Sequence, residues 1–243
     1  MLVLLLTTIA VFLSAEVHGR KNVLMIVVDD LRPQLSTYLD VMSSDIFAGM
    51  HTPNLDELAK KSLLLEKAFV QYSLCGPSRA SCLTSRRPST TRVYSLPDYF
   101  RKTGGNFTTL PQYFKEHGYV TRGLGKVFHP GGGSGGDNDA ISWTHAFYEP
   151  EVKGVYSNEK PWEAVPNSVH KEYPLIDQMV LETSLDSLST FAQKYTENQT
   201  NFFLAVGFHR PHPPWRFPQK YLRYYPLEEI DYPSNPDIPA TAP

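Results

Sequence analysis

Apolar residues run without a break from Val23 to Val28, between Asn22 and the acidic pair Asp29-Asp30. A continuous β-branched and apolar run of this length reads as a strand buried on both faces. Three further stretches, less uniformly apolar, also read as strands: Ser62 to Val70, Tyr119 to Gly125 and Asn201 to Phe208. Between them the period changes. Leu55, Leu58 and Leu63 stripe a helix that opens near Thr52 or Asn54, either of which can cap it. Thr109 to His117 predicts a short helix stopped by Gly118. Asp177 to Tyr195 is the longest helical pattern, with Met179, Leu181, Leu185, Leu188 and Phe191 as its buried stripe. Lys220 to Tyr225 predicts one more short helix. The alternation of strand and helix points to an α/β fold, a mostly parallel sheet flanked by helices.

The remaining segments are less regular. Gly131 to Gly136 lacks the strand-to-helix setting of a phosphate-binding loop and reads as a flexible linker. Ser142 to Val169 is aromatic and irregular, a surface loop or insertion. Met1 to Ala15 is almost wholly apolar and too short to span a bilayer comfortably, with small residues at Ser14, Ala15 and Gly19. It reads as a secretory signal peptide, so residues 1–19 are a leader and 20–243 form one domain.

Composition narrows the class. A formal net charge of −2 gives no basis for nucleic-acid binding, and 41% hydrophobic residues supply a sizeable core. The sequons Asn106-Phe107-Thr108 and Asn198-Gln199-Thr200 agree with passage through the secretory pathway. The 2 cysteines, Cys75 and Cys82, provide no disulfide framework.

Chemistry gathers where strands end. Asp29 and Asp30 follow the first strand, Lys126 and His129 the third, and His209 the fourth. In open α/β sheets, ligands bind outside the carboxyl ends of the strands. Two adjacent carboxylates there suit a hard divalent cation, or else cap a turn. Lys126 and His129 are available to one site, or are a solvated lysine and a loop histidine. Between the second strand and a helix expected from about Ser81 lies Cys75-Gly76-Pro77-Ser78-Arg79. It joins a polarisable nucleophile to a permanently charged guanidinium, and its bland alternative is a buried cysteine beside a turn.

That stretch, continued by Ala80-Ser81-Cys82-Leu83-Thr84-Ser85-Arg86, resembles the signature of the type I sulfatases, C-x-P-S-R-x-x-x-L-T-G-R. It departs from the signature at Ser85, where the family has glycine. Val28 to Pro33, Gly125 to Pro130, Gly105 to Thr108 and Phe202 to His209 resemble the members that remove 2-O-sulfate from iduronate in heparan and dermatan sulfate. The resemblance implies an alkaline-phosphatase-like sulfatase fold and a sulfuric ester hydrolase, with Cys75 converted to formylglycine by the formylglycine-generating enzyme. Its hydrated aldehyde would attack sulfur through one hydroxyl and expel sulfate through the other. Asp29, Asp30 and residue 75 would hold Ca2+. Arg79 would fix the nucleophile or the metal ligands, and Lys126 would neutralise a sulfate oxygen. His129 would act as base, and His209 as acid on the leaving oxygen. The implied partner is a sulfated glycosaminoglycan, and the implied location is the secretory pathway, lysosomal or extracellular, with no membrane span.

Family members are considerably longer, and their metal site is completed by a later Asp-His or Asp-Asn pair and a further lysine. None of these is present here. The sequence therefore predicts a fold incomplete at the C-terminus, exposing an apolar sheet edge, and little activity for the chain alone. The alternative function is a non-catalytic secreted fragment that binds sulfated glycan or a full-length partner. A related metal-dependent phosphohydrolase is disfavoured, because that chemistry places Ser or Thr at the nucleophile and uses two metals.

Overall fold

The structure is a computed structural model that describes residues 20–39, 50–151 and 160–230. The expected leader and the proline-rich run from Pro233 lie outside the described residues. In chain order the regular elements are β1 (Val23–Val28), α1 (Pro53–Ala59), α2 (Cys75–Thr84), α3 (Pro88–Thr91), α4 (Phe100–Thr103), α5 (Leu110–Glu116), β2 (Val120–Gly125), β3 (Trp162–Val165), α6 (Asn167–Glu172), α7 (Ile176–Asn198), β4 (Phe202–Phe208) and β5 (Trp215–Pro218). Gln219–Tyr224 forms a 3-10 helix where a short helix was expected.

Three predicted strands make one parallel sheet in the order β1-β4-β2. Residues alternate across β4, so its two faces build two cores. Phe203 and Ala205 pack with Ala80 and Leu83 of α2, Phe100, Val127, Phe128 and Trp143. Leu204 and Val206 pack with Leu124 of β2 and with Val180 and Phe191 of α7. Helices therefore cover both faces, as the α/β pattern requires.

Register brings the three strand ends level. Val28 pairs with Phe208, and Gly125 with Gly207. The pairing runs on past the strands, since Asp29 N donates to Phe208 O (3.0 Å) and Lys126 N to Gly207 O (2.9 Å). Two glycines make this possible. A Cβ on Gly207 would lie 2.1 Å from Lys126 O, and one on Gly125 would lie 2.1 Å from Gly207 O. Gly125 also has φ +68°, a conformation that costs glycine nothing.

Five expectations need correction. Ser62 to Val70 forms no strand. Leu63 and Phe69 are 87% and 82% exposed. Glu66 and Lys67 interrupt the apolar run, and an apolar run needs a neighbouring ladder to become a strand. The helix expected from Ser81 begins at Cys75, so it contains the whole motif. Gly131 to Gly136 is no linker, because Gly131–Ser134 is a 3-10 turn with Ser134 buried. The irregular segment carries β3, which pairs in parallel with β5 as a second sheet. The buried face of α7 runs through Val180, Ser184, Ser187 and Phe191, while Leu181 and Leu185 are exposed.

β1 is one edge of this sheet. Leu24 and Ile26 share a face with Leu204 and Val206, yet α7 packs over β4 and β2, leaving them 46% and 56% exposed. Among the described residues, no helix is long and apolar enough to cross a membrane.

Candidate active site

α2 is the organising element. Leu74 precedes it in extended conformation (φ −145°, ψ 136°), and Ser78 N donates to Leu74 O (2.9 Å), closing the first turn. Pro77 sits within that turn, where proline's missing N–H costs nothing. Cys75 and Arg79 are one helical step apart and share a face.

Arg79 is buried and joins two strand ends. Its Nη2 donates to Asp29 Oδ1 (2.6 Å), and its Nη1 donates to the carbonyls of Lys126 and Val127, the latter at 2.8 Å. Lys126 Nζ is ion-paired with Asp29 Oδ2. Burial pushes the Asp29 carboxyl up, but the hydrogen bonds and charges of Lys126 and Arg79 outweigh it and hold the group below its ordinary value.

Asp30 is placed differently. It adopts φ 57°, a left-handed conformation that aspartate tolerates better than most residues. The turn brings Oδ1 to 4.0 Å from Cys75 Sγ and leaves the carboxylate half-exposed. Burial and the charge of Asp29 push the Cys75 thiol up. These neighbours oppose a thiolate and suit a cation. Cys75 and Cys82 are both free, in line with the absence of a disulfide framework.

His129 is half-buried, with Nδ1 3.0 Å from Pro130 O. Burial and the nearby Lys126 charge hold its pKa below the ordinary value, favouring the neutral imidazole. The glycine turn misread as a linker packs behind it. The Cβ position of Gly133 lies 3.4 Å from His129 Nδ1 and only 2.4 Å from Leu96 O, so glycine alone allows that approach.

The structure thus brings Asp29, Asp30, Cys75, Arg79, Lys126 and His129 to one end of the sheet. His209 lines the adjoining cleft with Lys126, but its ring is turned to Asp177 and not to the carboxylates. Its amide donates to Asp177 Oδ1 (2.7 Å), its ring Nδ1 is 3.5 Å from the same oxygen, and Arg210 N donates to Asp177 Oδ2 (2.9 Å). Asp177, in the first turn of α7, ties the helix to the end of β4. The imidazole that faces the carboxylates is His212, with Nε2 3.9 Å from Asp30 Oδ2. Sequence reasoning missed it, although it lies in the same His209-Arg210-Pro211-His212 stretch. The chain folds back there, His212 N donating to His209 O (2.9 Å), and that turn selects one of the two rings.

Asp29, Cys75 and His212 each offer a ligand atom within 4.8 Å of the others, with Asp30 alongside. A carboxylate has several lone-pair sites, so Asp29 can accept from Arg79 and Lys126 and still face a cation. Two carboxylates fit a hard ion such as Ca2+, and an oxygen at residue 75 would suit it better than a thiol. A cleft of about 210 Å³ opens beside this centre, walled by Lys126, His209, Arg210, His212 and Arg216.

Comparison with known proteins agrees with this arrangement. Residues 21–237 match the Sulfatase family model. The chain is 40% identical to iduronate 2-sulfatase of Homo sapiens, over 97% of this chain and 44% of the human one. It is also 40% identical to iduronate 2-sulfatase of Mus musculus, over 99% of this chain and 45% of the mouse one. It therefore spans about half the length of the curated relatives it matches. Among solved structures, the phosphonate monoester hydrolase of Agrobacterium radiobacter superposes with a TM-score of 0.58 at 20% identity, over 88% of this chain and 45% of that one, a likeness of fold. With its motif helix, its level strand ends and a family match over most of its length, the chain belongs to the sulfatase family and has its alkaline-phosphatase-like fold.

Proposed function

We propose that this chain carries the sulfate-handling half of a sulfuric ester hydrolase acting on 2-O-sulfated iduronate of heparan or dermatan sulfate. The observation that carries this reading is the convergence of Asp29, Asp30, Cys75, Arg79, Lys126 and His129 at the carboxyl ends of three parallel strands. The 40% identity to iduronate 2-sulfatases supports the substrate.

Residue 75, once converted to formylglycine, supplies an aldehyde hydrate with one hydroxyl to attack sulfur and another to expel sulfate. Asp29, Asp30 and residue 75 would hold Ca2+, which would supply positive charge to offset that of the sulfate. The chain's own residues do the rest. Arg79 fixes Asp29 by a buried charge-assisted hydrogen bond and so sets the orientation of that ligand. Lys126 neutralises charge on a sulfate oxygen. His129, kept neutral by burial and by Lys126, accepts the proton from the residue 75 hydroxyl. The proton for the leaving sugar oxygen, assigned from sequence to His209, passes instead to His212, the ring that faces Asp30. His209 then positions the turn through Asp177.

The exposed Asn106 and Asn198 support a route through the endoplasmic reticulum, where the formylglycine-generating enzyme would act, towards the lysosome or the extracellular space. Mass spectrometry of the peptide spanning Cys75, from a secretory host, should show formylglycine; unmodified cysteine would sink the catalytic reading. Hydrolysis of a 2-O-sulfated iduronate disaccharide, assayed with Ca2+ and after chelation, should be slight for this chain alone, which spans about half the length of its relatives. Binding of the disaccharide without turnover would favour the non-catalytic fragment.

A further inference from the structure

The cleft beside the carboxylates holds two arginines that sulfate handling does not explain. Lys126, His209, Arg210, His212 and Arg216 line it, and no carboxylate does. Lys126 is already paired with Asp29, and Arg216 Nε lies 3.7 Å from Glu163 Oε2 across the β3–β5 pair. Arg210 forms no ion pair with a carboxylate among the described residues.

Its contacts are to main-chain oxygens. Nη1 donates to His212 O (2.7 Å) and Nε to Arg216 O (3.2 Å). These bonds fix the guanidinium plane and leave Nη2 without an acceptor among the described residues. The acid nearest in effect is Asp177, whose two oxygens accept the amides of His209 and Arg210. Burial presses the Arg210 pKa down and Arg216 adds to it, against the pull of Asp177. Leu175, Ile176, Pro213 and Pro214 supply apolar walls. A planar, pre-oriented guanidinium in a partly apolar cleft is suited to a carboxylate.

We propose that Arg210 binds the carboxylate of the acidic sugar whose sulfate is presented to residue 75. This rests on the sulfated-uronate reading above. It makes the turn from His209 to Pro214 bifunctional, with His212 directed to the reacting end and Arg210 to the sugar's own charge. Arg210 is thereby a specificity determinant and takes no part in the bond-breaking step.

The test is calorimetric binding to the full chain of a 2-O-sulfated iduronate disaccharide and of the same disaccharide with its carboxyl reduced to the alcohol. The wild-type chain should prefer the acid by about tenfold to a hundredfold, the range of one charge-assisted hydrogen bond. Arg210→Gln, which keeps an N–H for the main-chain carbonyls, should bring the preference close to unity, and Arg210→Lys should retain part of it. Wild type binding both equally, or binding neither, overturns the proposal, as does a preference that survives Arg210→Gln. Should Arg210→Gln fail to fold, arginine modification by phenylglyoxal on the wild-type chain decides. Arg210 should be protected by the acid and not by the reduced disaccharide, and equal protection overturns the assignment. Unmodified Cys75 would remove the sulfatase reading while leaving this binding preference measurable, so the two failures are distinguishable.

Discussion

Two buried carboxylates, Asp29 and Asp139, are built from similar parts and do different things. Each is held by an arginine. Arg101 grips Asp139 through Nε (2.5 Å) and Nη2 (2.9 Å), and Tyr99 and Ser142 donate to the same carboxylate. Each is also held below its ordinary pKa, because hydrogen bonds and charge overcome the upward push of burial. The difference lies in what surrounds the ion pair. Around Asp139 every neighbour is a donor, and the network ends in the buried hydroxyl of Thr109, which caps α5. Around Asp29 stand a second carboxylate, a cysteine and an imidazole, next to an open cleft. A saturated carboxylate is a structural tie. A carboxylate held on one side and facing further ligand atoms on the other is a candidate site.

The strongest way to break this comparison is to delete the tie. Asp139→Ala removes one partner of a buried pair and should cost about 3–5 kcal/mol in urea unfolding. A loss below about 1 kcal/mol would remove the structural role. The next effect concerns the cation. Added Ca2+ should stabilise the wild-type chain by about 2.7 kcal/mol at a hundredfold excess over its dissociation constant. Asp30→Asn should abolish that gain while shifting metal-free stability by no more than about 0.5 kcal/mol, since Asp30 is half-exposed and bonded to neither arginine nor lysine. A wild-type chain indifferent to Ca2+ would contradict the division between tie and site.

A smaller effect calibrates backbone strain. Asp30 and Asp139 both have φ 57°, and Ser85, which closes α2, has φ 54°. Ser85 stands where the family signature has glycine, and its conformation gives the reason, because a helix closing in the left-handed region favours glycine. Ser85→Gly should raise stability by about 1 kcal/mol in thermal unfolding. No gain would mean that the strain at the two aspartates is also negligible.

The smallest and most gradual effect is on the acid limb. Both aspartates have folded pKa values below the ordinary 3.8, so their contribution to stability is complete above that pH. It is lost as pH falls through the folded values. Asp139→Asn should flatten the decline below about pH 4 seen in the wild type, as followed by circular dichroism. An unchanged acid limb would show that Asp139 does not couple to folding.

Much of this site was legible in the chain because strands and signatures are local. Val23 to Val28 predicts its own strand, and the acidic pair at its end is placed by that fact. The signature around Cys75 carries nucleophile and guanidinium one helical turn apart. The errors also have local causes. Ser62 to Val70 has an apolar composition but no partner strand. Leu181 and Leu185 fit a helical stripe as well as Val180 and Ser184 do, and only the packing of α7 on β2 and β4 separates them. Asp139 drew no attention, because its neighbours Asp137 and Asn138 look like any polar loop and Arg101 is distant in sequence.

The sequence by itself determined three strands of the parallel sheet, the signature around Cys75 and most of the residues that meet at the sheet's end. These follow from periodicity and from residue types whose chemistry is intrinsic. Only the tertiary structure decided which carboxylate is a tie and which a site, and that His212 rather than His209 faces Asp30. It also decided that the glycine turn backs His129 and that Arg210 has a nitrogen to spare. Each of these depends on how a chain reversal or a distant donor uses up hydrogen-bonding capacity, and that is settled only when segments far apart in sequence compete for the same oxygen.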